Sequence, residues 1–305
     1  MANPSVVASP QAVIVHIGAH KTASTHLQKL CLANRDLLAA QGCAYFGPDR
    51  LRGDLRMPAL ERSPRAIARK IAPFHAAMQA EMAAGQRVLI SNENILGAPR
   101  PPVLADGGVL YPRAEQNIAA LLTALDLRDV TLCLALRDPL DLLISAWGHQ
   151  HIAGRPMGFE AFCDGLDPLA LRWSELVARL QDCARVGQIW LWRHEDYRAC
   201  APDIVAYLAG LAAGSVLENP PVASGSNYLT GPSARAIAAL PKIMATHPDA
   251  TAKDAMRKAM RRFPKSADLP GPQPFDTAQR TEGAARYAQD WAALQGRAGV
   301  ACLSP

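Results

Sequence analysis

Four short apolar runs punctuate this chain: VIVHI at 13–17, RVLIS at 87–91, VTLCLAL at 130–136 and QIWLW at 188–192. None alternates strictly between apolar and polar residues, so each reads as a strand covered on both faces. Stretches with helical periodicity lie between them, at about 24–40, 64–84, 113–126, 139–152 and 169–185. Strands separated by helices of this length form βαβ units and hence a parallel sheet. After about residue 200 the strand signals stop, and helical segments follow near 202–212, 230–245, 251–262 and 276–295. The expected architecture is α/β in three layers, a central parallel sheet flanked by helices. One domain is expected over 1–305, with the helical part at about 200–305 packed on it.

The bulk properties narrow the function. Of 305 residues, 50% are hydrophobic and 19% charged, an ordinary globular balance. The net charge of +5 suits an anionic ligand and is too small to indicate nucleic acid. No apolar run reaches the length of about 18 residues that a membrane span needs, and MANPSVVASP lacks the features of a signal peptide. Seven scattered cysteines form no CxxC pair, which points to reduced thiols and a cytoplasmic setting. His149 and His151 have no evident third ligand, so no metal site is expected.

The most informative segment is VIVHIGAHKTASTHLQ, residues 13–28. A buried strand enters a turn at Gly18, passes Lys21, Thr22, Ser24 and Thr25, and continues as a helix. Backbone N–H groups at a helix start, the helix dipole, a lysine and several hydroxyls all favour a phosphate or sulfate. The plainer alternative is a helix N-capped by Ser24 or Thr25. The loop is not a nucleoside-triphosphate cradle, since Gly18 stands only three residues before Lys21 and His20 occupies the second glycine position.

HIGAHKTASTHLQ resembles the 5′-phosphosulfate loop of the sulfotransferases that use 3′-phosphoadenosine 5′-phosphosulfate (PAPS), and is closest to a bacterial branch with a Gly-x-His-Lys-Thr form. Ala23 replaces the usual glycine. The resemblance implies a P-loop-like three-layer fold, the central parallel sheet flanked by helices, in which Gly18, Lys21, Thr22, Ala23, Ser24, Thr25 and His26 hold the donor's 5′ end. A second match is LALRDPLDLLISAW, residues 134–147, where Arg137 ends a strand, Asp138 and Pro139 open a helix, and Ser145 lies eight residues on. It is similar to the family's 3′-phosphate motif and implies that Arg137 and Ser145 bind that group. The family's frequent second arginine is here Leu142. Without the first loop, the same residues would read as an Arg–Asp capping pair with a polar helix residue.

Weaker resemblances run further. SNENIL (91–96), FEAF (159–162), the stretch from Trp173 to Gly187, WRHEDY (192–197) and SNYLT (226–230) look like family segments. No Arg-Lys-Gly loop is found near the C-terminus. The resemblance implies transfer of a sulfuryl group from PAPS to a hydroxyl or amine acceptor, a carbohydrate or small molecule, without metal. Lys21 is the expected charge neutraliser for the leaving oxygen. Glu93, two residues past a strand end, is the first candidate base and His20 the second. His194 and Glu195 are weaker candidates, with Glu195 and Asp196 equally suited to capping or to pairing with Arg193 or Arg198. Residues 47–63 and 97–112 are either substrate loops or solvated insertions. The basic run 253–265 holds an acidic glycan, helps hold the nucleotide, or is a solvated helix face. Two alternatives stand beside the transferase: a nucleotide kinase-like phosphotransferase and a non-catalytic nucleotide-binding module.

Overall fold

The computed structural model describes residues 12–60, 64–212, 215–220 and 230–304. In chain order the elements are β1 (Val13–Gly18), α1 (Ser24–Ala33), α2 (Arg35–Ala40), β2 (Cys43–Phe46), α3 (Pro48–Arg52), α4 (Pro64–Ala83) and β3 (Arg87–Ser91). A 3₁₀ turn at Glu93–Ile95 follows, then β4 (Ala105–Asp106), β5 (Val109–Leu110), α5 (Ala114–Ala124), β6 (Val130–Leu136), α6 (Pro139–Ile152) and α7 (Phe159–Phe162). The chain continues through α8 (Trp173–Gln181), β7 (Val186–Arg193), α9 (His194–Ala209), α10 (Ala234–Thr246), α11 (Ala252–Arg262), α12 (Thr277–Leu294) and β8 (Val300–Cys302).

The central sheet has six strands in the order β2-β3-β1-β6-β7-β8, and every pairing is parallel. Successive β1 residues enter opposite cores: Val13, Val15 and Ile17 face one, Ile14 the other. That two-sided burial is why the apolar runs carry no alternation. After β1 the chain crosses toward β2 and β3, and after β6 it crosses the opposite way to β7 and β8. The order therefore reverses between β1 and β6, and a crevice opens there at the carboxyl ends of the strands.

Several elements differ from the sequence expectation. The helix expected over 24–40 breaks at Asn34, whose backbone leaves helical values and whose amide donates to Leu30 O and Glu218 O, both at 2.8 Å. A short polar side chain that bonds to backbone competes with helix propagation. The helix expected to start at 202 begins at His194, with a kink at Cys200 two residues before Pro202. Helix α8 is shorter than expected. Its free N-terminal N–H groups at Trp173 and Ser174 donate to Asp290 of α12, the first at 2.6 Å. That cap comes from a residue far along the chain. β2 and β8 were not expected; four and three residues are too few for a periodic signal.

Helix α12 packs on α8, with Trp291 and Leu294 in the main core, and β8 adds the last strand beside β7. Helices α10 and α11 share a smaller core of their own around Leu240 and Met256, and α11 lies against α6, where Lys253 meets Gly154. All seven cysteines are free thiols. Among the described residues no helix is long and apolar enough to cross a membrane.

One polar group sits deep in the sheet. His16 on β1 is 1% exposed, its Nδ1 lies 2.8 Å from Ser91 Oγ, and its ring stacks on Trp192. Burial lowers its pKa from 6.5 to about 4, against a smaller opposing pull from Glu93. The unfolded chain therefore takes up this proton at higher pH than the folded one. Stability is full above the unfolded value and declines as pH falls toward the folded value. Lowering the pH from about 7 to about 5 is expected to remove on the order of 2 kcal/mol through this residue. Chemical denaturation at the two pH values checks it, and His16→Gln should shrink the difference by that amount, leaving what the other buried histidines contribute.

Candidate active site at the carboxyl edge of the sheet

The loop after β1 is built to present N–H groups. Gly18 has φ 115°, and a Cβ there would stand 3.2 Å from the Glu93 Cβ, so only glycine fits beside β3. Lys21 and Ala23 both have positive φ, 61° and 66°. Left-handed residues within a turn turn successive N–H groups inward, forming a concave anion nest. Ala23 is thus in the conformation that favours glycine, at a local cost of about 1 kcal/mol. This is the physical reason that a glycine suits the position.

The hydroxyls divide. Thr22 Oγ1 and Ser24 Oγ donate to Ala19 O, at 2.7 and 2.9 Å, and so brace the loop internally. Thr25 is exposed. Neither Ser24 nor Thr25 caps α1. The N-cap is Ala23, and no side chain bonds to the first turn. The backbone N–H groups of Lys21, Thr22, Ala23, Ser24 and Thr25 donate to no other described residue. Five uncommitted donors in a row, at a helix N-terminus, are what an anionic ligand requires.

Arg137, at the end of β6, reaches the same loop: its Nη1 donates to Lys21 O at 2.6 Å. Its own carbonyl accepts from Trp173 Nε1 at 2.8 Å, which steadies the strand end. Asp138 is not its ion-pair partner. Instead Asp138 caps α6, accepting from Leu140 N at 2.8 Å and Asp141 N at 3.2 Å. Burial lowers the Arg137 pKa, while Asp141, Glu195 and Asp138 work to raise it. Those carboxylates line a cleft of about 270 Å³ beside it, with Arg193, Tyr287 and Trp291. Helix α6 runs unbroken past Ser145, which is partly buried.

On the β3 side, Glu93 is held at both oxygens. Gln28 Nε2 donates to Oε2 at 2.6 Å and Arg52 Nη2 to Oε1 at 3.0 Å. Burial acts to raise its pKa, but Gln28, its own backbone N–H, Arg52 and His20 outweigh that, and the carboxyl stays below its usual range. Lys21 is shifted down chiefly by burial and then by Arg137, with Glu93 acting the other way.

His20 is locked. Its backbone N–H donates to Tyr111 Oη, its Nδ1 lies 3.1 Å from the same oxygen, and Nε2 lies 3.5 Å from Asn94 Oδ1. A hydroxyl that accepts from the backbone is free to donate to Nδ1, which places the imidazole proton on Nε2. Burial lowers the His20 pKa to about 4, so the ring is neutral at pH 7. Tyr111 comes from the 97–112 segment, which is thereby anchored at the site. His26 Nδ1 lies 2.8 Å from Tyr197 Oη, turned toward α9.

His194 lies near Arg137, and its Nδ1 is buried without a hydrogen-bond partner. Glu195 accepts from Asp138 N and Tyr287 Oη, and Asp196 pairs with Arg193 at 2.8 Å, which are structural roles. The basic face of α11 is exposed, with Arg257 on Asp254 at 3.0 Å and Arg262 over Phe263. The match at SNYLT lies, except for Thr230, outside the described residues.

Sequence reasoning missed Gln28, Arg52, Asn94, Tyr111 and His149. His149 feels both Lys21 and His20, and burial lowers its pKa to about 4. A signal for it existed: it follows Ser145 by four residues, on the same face of α6. The others lie in segments already singled out, at 13–28, 47–63, 91–96 and 97–112, but nothing in the sequence distinguished them individually, because they converge only through the fold.

No family model matches the chain, and no curated protein matches its sequence. Among solved structures, a sulfotransferase from Alicyclobacillus acidocaldarius is similar over 86% of this chain and 98% of its own, with a TM-score of 0.41 at 14% identity. A structure described as the PezAT chromosomal toxin–antitoxin system of Streptococcus pneumoniae is similar over 68% of this chain and 81% of its own, with a TM-score of 0.26 at 13% identity. Likeness at these levels establishes neither a family nor an activity. What the chain demonstrably has is an α/β fold with a six-stranded parallel sheet and, at the reversal of its strand order, a loop whose N–H groups at residues 21–25 have no partner among the described residues and whose Lys21 carbonyl accepts from Arg137.

Proposed function

We propose that this chain is a sulfotransferase that moves a sulfuryl group from PAPS to a hydroxyl or amine acceptor. The observation that carries the proposal is the meeting of the free N–H groups of residues 21–25 with Arg137, 2.6 Å from the Lys21 carbonyl. Two anion-binding elements side by side suit a ribonucleotide charged at both its 5′ and 3′ positions. The nest and Lys21 take the 5′ end, and Arg137 with Ser145 the 3′-phosphate.

In the transfer, the bond from sulfur to the 5′-phosphate oxygen breaks, a bond from sulfur to the acceptor forms, and the electron pair stays on the phosphate. The chain's own part is positioning and charge. Lys21 neutralises the oxygen that gathers charge. The N–H groups hold the reacting axis still. Glu93, ionised and beside Gly18, accepts the acceptor's proton. His20 is the weaker base candidate because its Nδ1 lone pair is occupied by Tyr111, and its role is to brace the loop.

Calorimetry tests the donor assignment. The wild-type chain is expected to bind adenosine 3′,5′-bisphosphate about 10- to 100-fold more tightly than adenosine 5′-phosphate, the value of one charge-assisted contact at roughly 1.5–3 kcal/mol. Arg137→Ala is expected to erase that preference while still binding both. Equal affinities in the wild type, or a preference for ATP with Mg²⁺, would overturn the proposal in favour of another nucleotide chemistry.

A further inference from the structure

The groups at the sheet edge follow the strand order. Arg52 ends α3, after β2; Glu93 follows β3; Lys21 follows β1; Arg137 follows β6. A donor held at Lys21 and Arg137 occupies the β1–β6 half. Its reacting axis then points toward β3, and the acceptor must approach over β3 and β2. Glu93 waits there, and so does one more cation, Arg52, which the donor does not need.

Two neighbouring cations are committed elsewhere. Arg50 lies over the Phe46 ring at 4.5 Å, and Arg35, from α2, pairs with Asp49. Arg52 instead reaches Glu93. Its side chain is 54% exposed, against 17% for Glu93, so it stands at the rim with the carboxylate beneath it. Only Nη2 is engaged, and the remaining guanidinium N–H groups have no other partner among the described residues.

We infer that Arg52 is the acceptor-recognition residue, and that the acceptor carries an anionic group, carboxylate or sulfate, close to the attacking hydroxyl or amine. Resting on the transferase reading above, this narrows the acceptor to acidic compounds such as uronic or already sulfated sugars. In the free protein Glu93 occupies Arg52. An arriving carboxylate or sulfate takes the guanidinium in its place, with the paired N–H fork that such groups accept. Glu93 is then left with Gln28 alone and becomes the better proton acceptor at the moment the acceptor is seated. The base is thus uncovered by the compound it serves.

The test uses the full chain saturated with adenosine 3′,5′-bisphosphate, titrated with three glycosides by calorimetry or NMR. They are 4-nitrophenyl β-glucoside, its 6-sulfate and 4-nitrophenyl β-glucuronide, so that carboxylate and sulfate are separate arms against a neutral control. At least about tenfold tighter binding is expected for one or both charged probes. Arg52→Ala should abolish that margin, Arg52→Lys should keep part of it, and neither should change the affinity for the bisphosphate. Glu93→Gln should bind the charged probe more tightly than wild type, because the charged competitor for Arg52 is replaced by a weaker, neutral acceptor. Since loss of the Glu93 charge alone also favours an anion, the gain must disappear when Arg52→Ala is combined with it; a gain that persists in the double variant would overturn the inference. Charged and neutral probes bound alike, or none bound by the loaded protein, would overturn the inference, as would a loss of bisphosphate affinity in Arg52→Ala. If the wild type fails to bind the bisphosphate at all, the donor assignment itself has failed instead.

Discussion

Alanine at position 21 is expected to slow sulfuryl transfer by about a thousand-fold, roughly 4 kcal/mol in the barrier. Lys21 is the one side-chain cation on the nest itself. Its backbone is fixed by its own left-handed conformation and by the Arg137 bond to its carbonyl. A charge placed in a partly desolvated turn acts on the leaving oxygen with little screening and without reorganisation. Bisphosphate binding should weaken too, but by less than the rate, because the five N–H groups of residues 21–25 remain. Single-turnover transfer from radiolabelled PAPS, set beside calorimetry, separates the two effects. A variant within tenfold of the wild-type rate would remove Lys21 from the mechanism.

Glu93→Gln is expected to lower the transfer rate by about 10²- to 10⁴-fold while leaving bisphosphate affinity near wild type. The amide keeps the shape and still accepts from Gln28 or Arg52, but it takes no proton. The pH profile gives a second readout. The base is active when ionised, and the carboxyl is held below its usual range despite burial, by Gln28, its backbone N–H, Arg52 and His20. Activity governed by Glu93 is therefore present above that depressed value and lost only as the pH falls through it. A rate that instead declines near the usual imidazole range of about 6.5 would transfer the base role to a histidine. His20 is an unpromising heir, since its ring is buried between Tyr111 and Asn94.

Much of the scaffold was legible from pattern. β3 and β6 were expected at 87–91 and 130–136 and α6 at 139–152, and the structure has them at those residues. Strands buried on both faces and helices of three or four turns leave long, unambiguous apolar signals. The loop after β1 was legible for a different reason. Its chemistry lies within one strand–turn–helix segment, so no distant residue is needed to see it. Less legible was how its hydroxyls are used. Thr22 and Ser24 were expected as ligand donors, whereas both are spent on Ala19 O. A hydroxyl's partner depends on where a carbonyl points, and the turn geometry decides that.

The local sequence determined the loop that the proposed anion site rests on, because backbone donors, a lysine and a helix start are contiguous along the chain. Only the tertiary structure decided what surrounds it. Strand order set Arg137 on one flank and Glu93 with Arg52 on the other, and it drew Gln28, Tyr111 and Asn94 into contact with the carboxylate or the imidazole. These contacts join residues 65 to 116 positions apart, with the Glu93–Arg52 pair spanning 41. Apolar periodicity reports which face of an element is buried, but not which element lies beside it, and it is that adjacency which turns an anion-binding turn into a two-sided site.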